Sequence, residues 1–172
     1  MSILYLIRHT EPALRGVFLG STDPGLSERG RADAARLFAG LQVEAVYTSP
    51  LRRARETAEA IPAPRPPVVL PELREMGFGA WEGLTWAQIE AGYPEIARRK
   101  IHGWMAVTPP GGETWQEVAA RAAEALAAIR RGPFPAAAVA HMVINSALAQ
   151  QVNGADPLTF NQNYGEVIRC EL

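Results

Sequence analysis

The protein has 172 residues, of which 48% are hydrophobic and 20% are charged, and its formal net charge is −1. These values are typical of one globular domain, and the near-neutral charge favours neither nucleic acid nor a membrane surface as a partner. The single cysteine, Cys170, excludes an intramolecular disulfide and a cysteine-based zinc site. The first apolar run, residues 3–7, is too short for a signal peptide or a membrane span, so we expect a cytoplasmic protein.

Short apolar runs alternate along the chain with segments of helical periodicity. The apolar runs predict strands, most of them buried, over residues 3–7, 45–47, 68–70, 136–140 and 167–172. Helical spacing and helix-end signals predict helices over residues 27–41, 50–61 and 145–152 and one that begins after Thr114, where Glu117 completes a capping box. This alternation predicts an α/β fold, a three-layer αβα sandwich around a largely parallel sheet.

Residues 76–113 differ from the rest of the chain because they are rich in Trp and Gly and carry only weak strand signals. We interpret this segment as an insertion that folds over one end of the sheet and could act as a lid. The proline-rich stretch 62–67 is typical of a surface connection, so we predict a single domain over residues 1–172.

Two of the three histidines directly follow predicted strands. His9 follows the first strand, and His141 follows the strand at 136–140. A parallel α/β sheet binds ligands beyond the carboxyl ends of its strands, so the two histidines are candidates for one site. A lone strand-end histidine is more often a hydrogen-bonded core residue, but the pair, with arginines beside it, favours a functional site. We expect His102, in a helical and arginine-rich stretch, on the surface.

Arginines also occur just after the first and the second predicted strands. Arg8 immediately precedes the first of these histidines, and Arg53 lies in the first turn of the helix after the second strand. Free N–H groups and the helix dipole attract anions there, and a guanidinium matches two phosphate oxygens. Arg53 could therefore face the strand ends, whereas we expect Arg52 and Arg55 on a solvated face.

The stretch after the third predicted strand holds three candidate acids, Glu72, Glu75 and Glu82, among Met, Phe, Trp and Gly residues. Apolar neighbours raise the pKa of a carboxyl group, as a general acid requires, but spacing does not distinguish the three. The chain carries no Walker-type loop, H-E-x-x-H or G-x-S-x-G motif. A site built from His, Arg and Glu suits phosphoryl transfer through a phosphohistidine.

Several motifs occur in the order found in the histidine phosphatase superfamily, whose fold is phosphoglycerate-mutase-like. Residues 8–11 (RHTE) resemble its R-H-G/T-E signature, and residues 49–58 (SPLRRARETA) resemble its S-x-L-x-R-A-x-x-T-A stretch. Further similar segments are residues 20–30, 73–83 and 109–114, and His141 stands where the second histidine is expected. The resemblance covers nearly the whole chain.

This resemblance implies a role for each matching residue. His9 corresponds to the nucleophile that becomes phosphorylated, and Glu75 corresponds to the proton donor. Arg8, Arg53 and His141 correspond to the phosphate-binding residues, which are part of the catalytic set. No metal ion or organic cofactor is implied.

Two positions near the expected phosphate site depart from the family pattern. Arg15 stands where many members have Asn, and Met142 stands where many have Gly. We expect both residues to line the phosphate site, together with Ser21 and Thr22.

The short chain and residues 71–82 (PELREMGFGAWE) are most similar to the α-ribazole phosphatase branch of cobalamin biosynthesis. This similarity implies a metal-independent phosphomonoesterase that acts on α-ribazole 5′-phosphate or another small phosphate ester. The alternatives are a phosphoglycerate-type mutase and a catalytically weak protein that binds a phosphate ligand. The expected partner is a small-molecule phosphate ester, not nucleic acid or a membrane, and a homodimer is left open.

Overall fold

The computed structural model describes residues 2–172, which form a five-stranded sheet in the order β3-β2-β4-β1-β5. The strands are β1 (Ile3–Arg8), β2 (Ala45–Thr48), β3 (Val68–Val69), β4 (Ala136–Ala140) and β5 (Val167–Glu171). The first four run parallel to their neighbours, and β5 pairs with β1 in the antiparallel direction. The predicted α/β fold with a largely parallel sheet is confirmed.

The α-helices of the described chain are α1 (Glu28–Leu37), α2 (Arg52–Glu59), α3 (Trp86–Gly92), α4 (Pro94–His102), α5 (Trp115–Arg130) and α6 (Met142–Asn153). The predicted capping box of Thr114 and Glu117 starts α5. Helix α6 begins at Met142, three residues before the predicted start, and ends at Gly154, which has a left-handed conformation. No helix within residues 2–172 is long and apolar enough to cross a lipid bilayer.

Side chains of the central strands alternate between two cores, one on each face of the sheet. Leu4 and Leu6 of β1 belong to the core that includes residues of α5 and α6, whereas Ile7 belongs to the core that includes residues of α1 and α2. Every residue of β4 is buried, as expected for a central parallel strand. The predicted three layers therefore follow from the alternation of strand side chains.

The expectation of a buried third strand is wrong for Val68 and Val69, which are 49% and 45% exposed. Both belong to β3, which forms one edge of the sheet and pairs with β2 alone. An edge strand has one neighbour, and this one is only two residues long.

Residues 76–113 contain two α-helices instead of the weak strands that their sequence indicated. The capping box of Thr85 and Gln88 starts α3, and Pro94 lies in the first turn of α4. Trp81 and Ile89 are fully buried in the core that contains Leu4 and Leu6. The segment is thus packed into the main core on one face of the sheet, and lid motion stays a prediction.

Candidate active site

The carboxyl ends of three neighbouring parallel strands bring His9, Ser49 and His141 together. The N–H groups of His9 and Ser49 donate to carbonyls of β4, each at 3.0 Å, and extend the sheet past its strands. The ring centres of His9 and His141 lie 5.1 Å apart. Oγ of Ser49 lies 2.8 Å from Nε2 of His141, which fixes that second ring.

A hydrogen bond to the backbone sets the tautomer of His9. Its Nδ1 lies 2.7 Å from the carbonyl oxygen of Thr10. Because a carbonyl can only accept, Nδ1 carries the proton and Nε2 keeps a free lone pair. Burial, with the positive charges of Arg53 and Arg8, lowers the pKa of His9 to about 3. His9 is therefore neutral at pH 7, with Nε2 available as a nucleophile.

Two guanidinium groups lie beside His9 with carbonyl oxygens, not carboxylates, as their partners. Arg8 donates to the carbonyl of Gln162 at 2.6 Å. Arg53 is 1% exposed and donates to the carbonyls of Leu19, Gly20 and Thr22 at 2.9, 3.3 and 2.9 Å. Among the described residues neither arginine forms an ion pair. Two positive charges thus lie at this end of the sheet without a carboxylate in direct contact.

Three buried nitrogen atoms beside His9 lack a hydrogen-bond partner within residues 2–172. They are Nε of Arg8, Nε of Arg53 and Nδ1 of His141. Burial lowers the pKa of His141 well below its ordinary value, and neighbouring His9, Arg53 and Arg8 lower it further. Buried polar atoms are normally paired, so two guanidinium groups with unpaired nitrogens beside His9 leave positive charge that favours an anion nearby.

The carboxyl group of Glu75 lies at the N-terminus of α6, the helix that begins directly after His141. Its carboxylate accepts the backbone N–H groups of Met76, Val143 and Ile144 at 2.9, 3.2 and 3.2 Å. Burial raises the pKa of Glu75, and these hydrogen bonds and Arg53 offset only part of the rise. A bound phosphate dianion would raise that pKa further. Glu75 can therefore hold a proton when an anionic ligand is present.

Glu82 was an alternative candidate for the general acid, but in the structure its carboxylate binds backbone N–H groups. Its carboxylate accepts backbone N–H groups of residues 20–22 and of Phe78, and also the hydroxyl of Thr22, all at 2.8–3.2 Å. Burial acts to raise the pKa of Glu82, but these hydrogen bonds outweigh it and leave the pKa below its ordinary value. Glu82 is thus an anionic anchor for the loop at 20–22. Glu72, the third candidate, does not line the cavity described below.

Three residues expected at the phosphate site do not line the cavity beside His9, and neither does His141, although its ring lies next to that of His9. Arg15 has a side chain that is 61% exposed and forms an ion pair with Glu11 at 2.7 Å. Ser21 and Thr22 do not line the cavity beside His9, and their N–H groups are bound to Glu82. Polar residues in a glycine-containing loop are a poor guide to phosphate contacts, because the tertiary structure decides which way the N–H groups point.

The structure also places Met142 and the three residues that were expected on the surface. Met142 lines the cavity, with its sulfur 3.9 Å from Nη1 of Arg8. His102, Arg52 and Arg55 are exposed, as predicted. The side chain of Arg52 forms an ion pair with Glu56 instead of facing the site.

A cavity of about 450 Å³ opens beside His9. Its charged end is formed by Arg8, Arg53 and Glu75. Its wall is mainly apolar and includes Val17, Phe18, Phe78, Trp86, Trp104, Met105, Leu158 and Phe160. Among the described residues that line it, there is no lysine and no further arginine. The cavity thus combines an anion-binding end with an apolar body.

Tyr164, which the sequence did not indicate as a site residue, contacts both His9 and Arg8. Its ring centre lies 5.5 Å from that of His9 and 4.2 Å from the guanidinium carbon of Arg8. No motif includes Tyr164. It reaches the site because the N–H of Gly165 donates to the carbonyl of Arg8 at 3.0 Å, a long-range contact with no local signal.

Replacing Glu82 with Ala should lower the free energy of unfolding by about 1–3 kcal/mol, because it removes the acceptor of several backbone N–H groups. Chemical denaturation would measure the change. Glu90→Ala is the control, since Glu90 is exposed and should change stability by less than about 0.5 kcal/mol. Equal effects of the two substitutions would contradict the role of Glu82 as an anchor.

The stability of a Glu75→Gln variant should depend on pH in a defined direction. A pKa raised in the folded state means that the stability contributed by this group is present at low pH and is lost as the pH rises through the folded pKa. Glutamine does not ionise, so the variant should gain stability relative to the wild type as the pH increases from 4 to 8. Denaturation curves across this range, with Glu72→Gln as control, would measure it. A gain of the wild type over the variant with rising pH would show that the carboxyl pKa is not raised.

Comparison with known proteins agrees with this geometry. Residues 4–170 match the family model of the histidine phosphatase superfamily (branch 1). The bifunctional protein Rv2228c of Mycobacterium tuberculosis is 39% identical over 139 residues, which cover 75% of this chain and 35% of that protein. A 2,3-bisphosphoglycerate-dependent phosphoglycerate mutase of Bartonella quintana is 33% identical over 133 residues, which cover 69% of this chain and 63% of the mutase. The chain thus spans about a third of the first relative and less than two thirds of the second.

A solved structure from Escherichia coli K-12, provisionally named an alpha-ribazole-5′-P phosphatase, superimposes with a TM-score of 0.84. It is 26% identical, and the match covers 98% of this chain and 89% of that one. The family match spans nearly every residue and includes the strand ends that carry His9 and His141. The chain belongs to the histidine phosphatase superfamily.

Proposed function

We propose that the protein is a metal-independent phosphomonoesterase that forms a phosphohistidine at His9. The observation that carries this proposal is the free Nε2 of a neutral His9 in a cavity that the guanidinium groups of Arg8 and Arg53 also line. A neutral imidazole can attack phosphorus, and the surrounding donors stabilise charge on the phosphoryl oxygens. Arg8 and Arg53 supply the positive charge that a metal ion supplies in other phosphatases.

In the first step, Nε2 of His9 forms a bond to phosphorus as the bond from phosphorus to the ester oxygen breaks. Glu75 enters protonated and gives its proton to the departing oxygen, so an alcohol leaves. The imidazole becomes positively charged, and its Nδ1–H remains bonded to the carbonyl of Thr10. That hydrogen bond strengthens as the ring gains charge and thereby favours the phosphorylated state.

In the second step, the carboxylate of Glu75 takes a proton from a water molecule. The water oxygen attacks phosphorus, the bond from phosphorus to Nε2 breaks, and inorganic phosphate forms. His9 returns to its neutral form and Glu75 to its protonated form. One buried carboxyl group with a raised pKa can serve both steps because it alternates between donor and acceptor.

The apolar wall supports a substrate whose leaving group is itself apolar or aromatic. Phe18, Trp86 and Trp104 line the cavity away from its charged end, where the alcohol portion would lie. Aromatic side chains suit a flat ring system, which α-ribazole 5′-phosphate carries. The likeness to the Escherichia coli structure supports the same choice. We therefore propose α-ribazole 5′-phosphate or a similar small ester as substrate, in the cytoplasm, where the lone Cys170 would stay reduced.

A phosphoglycerate mutase is the second candidate because a relative carries that name. A phosphoglycerate bears a carboxylate in addition to its phosphate, and this carboxylate would need its own cationic partner. Among the described residues of the cavity wall, only Arg8 and Arg53 are permanent cations, and both lie at the phosphate end. The geometry therefore favours hydrolysis over mutase activity.

A substrate panel separates the two activities. α-Ribazole 5′-phosphate should be hydrolysed with a higher kcat/KM than 3-phosphoglycerate, with no need for a bisphosphorylated primer. Interconversion of phosphoglycerates that depends on such a primer would instead establish the mutase.

His9→Gln should abolish formation of a phosphoenzyme and lower turnover by more than about 10⁴-fold, because the nucleophile is lost. Rapid quenching with ³²P-labelled substrate would detect the acid-labile, base-stable label. His102→Gln is the control, since His102 is exposed on α4 and should leave activity unchanged. Label on the His9→Gln protein, or a loss of wild-type activity on chelation, would overturn the proposal.

Glu75→Gln should slow alkyl phosphates by about 10² to 10⁴-fold, the usual worth of general acid catalysis. Aryl phosphates should lose much less in the first step because their leaving groups depart without a proton. The phosphohistidine should accumulate, since the same residue activates water. Single-turnover kinetics would measure both steps, with Glu72→Gln as control. An equal loss for alkyl and aryl substrates, without accumulated phosphoenzyme, would show that another group is the acid.

A further inference from the structure

A buried ion pair behind Glu75 has no role in the chemistry above. Arg121 of α5 is 8% exposed, and it donates from Nε and Nη2 to the two carboxylate oxygens of Glu113 at 2.6 and 2.7 Å. Burial acts to raise the pKa of Glu113, but Arg121 outweighs this effect and the pKa stays below its ordinary value. Glu113 is therefore ionised at neutral pH. Neither side chain lines the cavity beside His9.

The same two side chains bind the backbone on both sides of Glu75. Nη1 of Arg121 donates to the carbonyls of Glu72 and Arg74 at 2.6 and 3.0 Å. After Glu75, the N–H of Gly77 donates to the carboxylate of Glu113 at 3.2 Å, and the carbonyl of Gly77 accepts the N–H of Glu113 at 2.8 Å. The segment that carries Glu75 is thus fixed to the start of α5 through both its ends.

The contact between the segment that carries Glu75 and the start of α5 also explains the motif at residues 109–114, which takes no part in the proposed chemistry. A Cβ atom at Gly79 would lie 2.2 Å from the carbonyl oxygen of Pro110, and one at Gly112 would lie 2.9 Å from that of Gly77. Gly79 also has a φ of +56°. Only glycine allows the two segments to pack backbone against backbone at this distance. The glycines bring Glu113 to the position where it reaches Gly77.

We propose that Arg121 and Glu113 are positioning residues that hold the carboxyl group of Glu75 where it exchanges a proton with the leaving oxygen and with water. This inference rests on the proposed role of Glu75. A proton donor must lie about 2.6–3.2 Å from the atom it protonates. A displacement of about 1 Å can lower a rate about 10²-fold. A buried ion pair adds little net stability compared with apolar packing, so geometric control is the better account of this one.

The pair should therefore affect proton transfer and leave phosphate binding unchanged. The Arg121→Met variant removes the donors to the backbone, and Glu113→Gln keeps the side-chain shape but removes the charge. In both, kcat for an alkyl phosphate should fall by about 10 to 10²-fold, with a much smaller loss of the phosphorylation rate for 4-nitrophenyl phosphate. The affinity for vanadate, which needs only the phosphate-binding residues, should not change. Arg130→Met on the same helix is the matched control, since Arg130 is exposed.

A double variant tests most directly whether Arg121 and Glu113 act through Glu75. In the Glu75→Gln background, Arg121→Met or Glu113→Gln should cause no further loss, because the group they position can no longer donate a proton. Circular dichroism verifies folding, and Glu113→Gln carries the test if Arg121→Met does not fold. Two results would overturn this inference but not the role of Glu75. One is an equal loss of rate for alkyl and aryl substrates in the single variants. The other is a further loss in the double variants that multiplies with the loss caused by Glu75→Gln. Absence of any leaving-group dependence in Glu75→Gln itself would overturn both the role of Glu75 and this inference.

Discussion

Parallel pairing of β1 with β4 is the contact on which the site depends. Arg8 lies opposite Ala140 in the register, so the next residue of each strand is a histidine and the two rings become neighbours. A shift by one residue would turn one of the two side chains to the opposite face of the sheet. The register is fixed by burial, since β4 is buried on both faces and the strand side chains of β1 divide between two cores. Fold stability and site geometry are therefore set by the same packing.

The electrostatics of the site follow from burial of cations without carboxylate partners. Arg8 and Arg53 bind carbonyl oxygens, whose partial charges offset only part of the cost of removing a cation from water. The two histidines stay neutral because burial lowers their pKa values, and protonation would also add a third positive charge. A phosphate dianion would balance the two guanidinium charges, so the burial of these cations favours an anionic ligand beside His9.

The sequence predicted those parts of the site that have a local signal. His9, His141, Arg8 and Arg53 follow strands or lie in the first turn of a helix, where the chain order alone indicates the carboxyl edge of the sheet. The start of α6 was placed too late for a physical reason. Its first N–H groups are bound by Glu75, from a distant segment, and not by a neighbouring Ser, Thr, Asp or Asn. No local pattern could reveal that cap.

The same reason accounts for the residues that sequence analysis misplaced or missed. Ser21 and Thr22 look suitable for an anion until Glu82 is seen to bind their N–H groups. Tyr164 reaches the site, and Arg121 the backbone beside Glu75, through contacts between segments far apart in the chain, and neither belongs to a motif. Motifs thus indicated the groups that we propose to react, whereas the contacts that orient them became visible only in three dimensions.

The protonation state of His9 is the central claim, and ¹⁵N NMR of the imidazole nitrogens tests it most directly. Signals of His9 can be assigned by their loss in the His9→Gln protein. The structure predicts a proton on Nδ1 and a bare Nε2, with no titration between pH 8 and pH 5, because the pKa is lowered to about 3. A proton on Nε2 at pH 7, or titration near the ordinary histidine value of 6.5, would contradict the account.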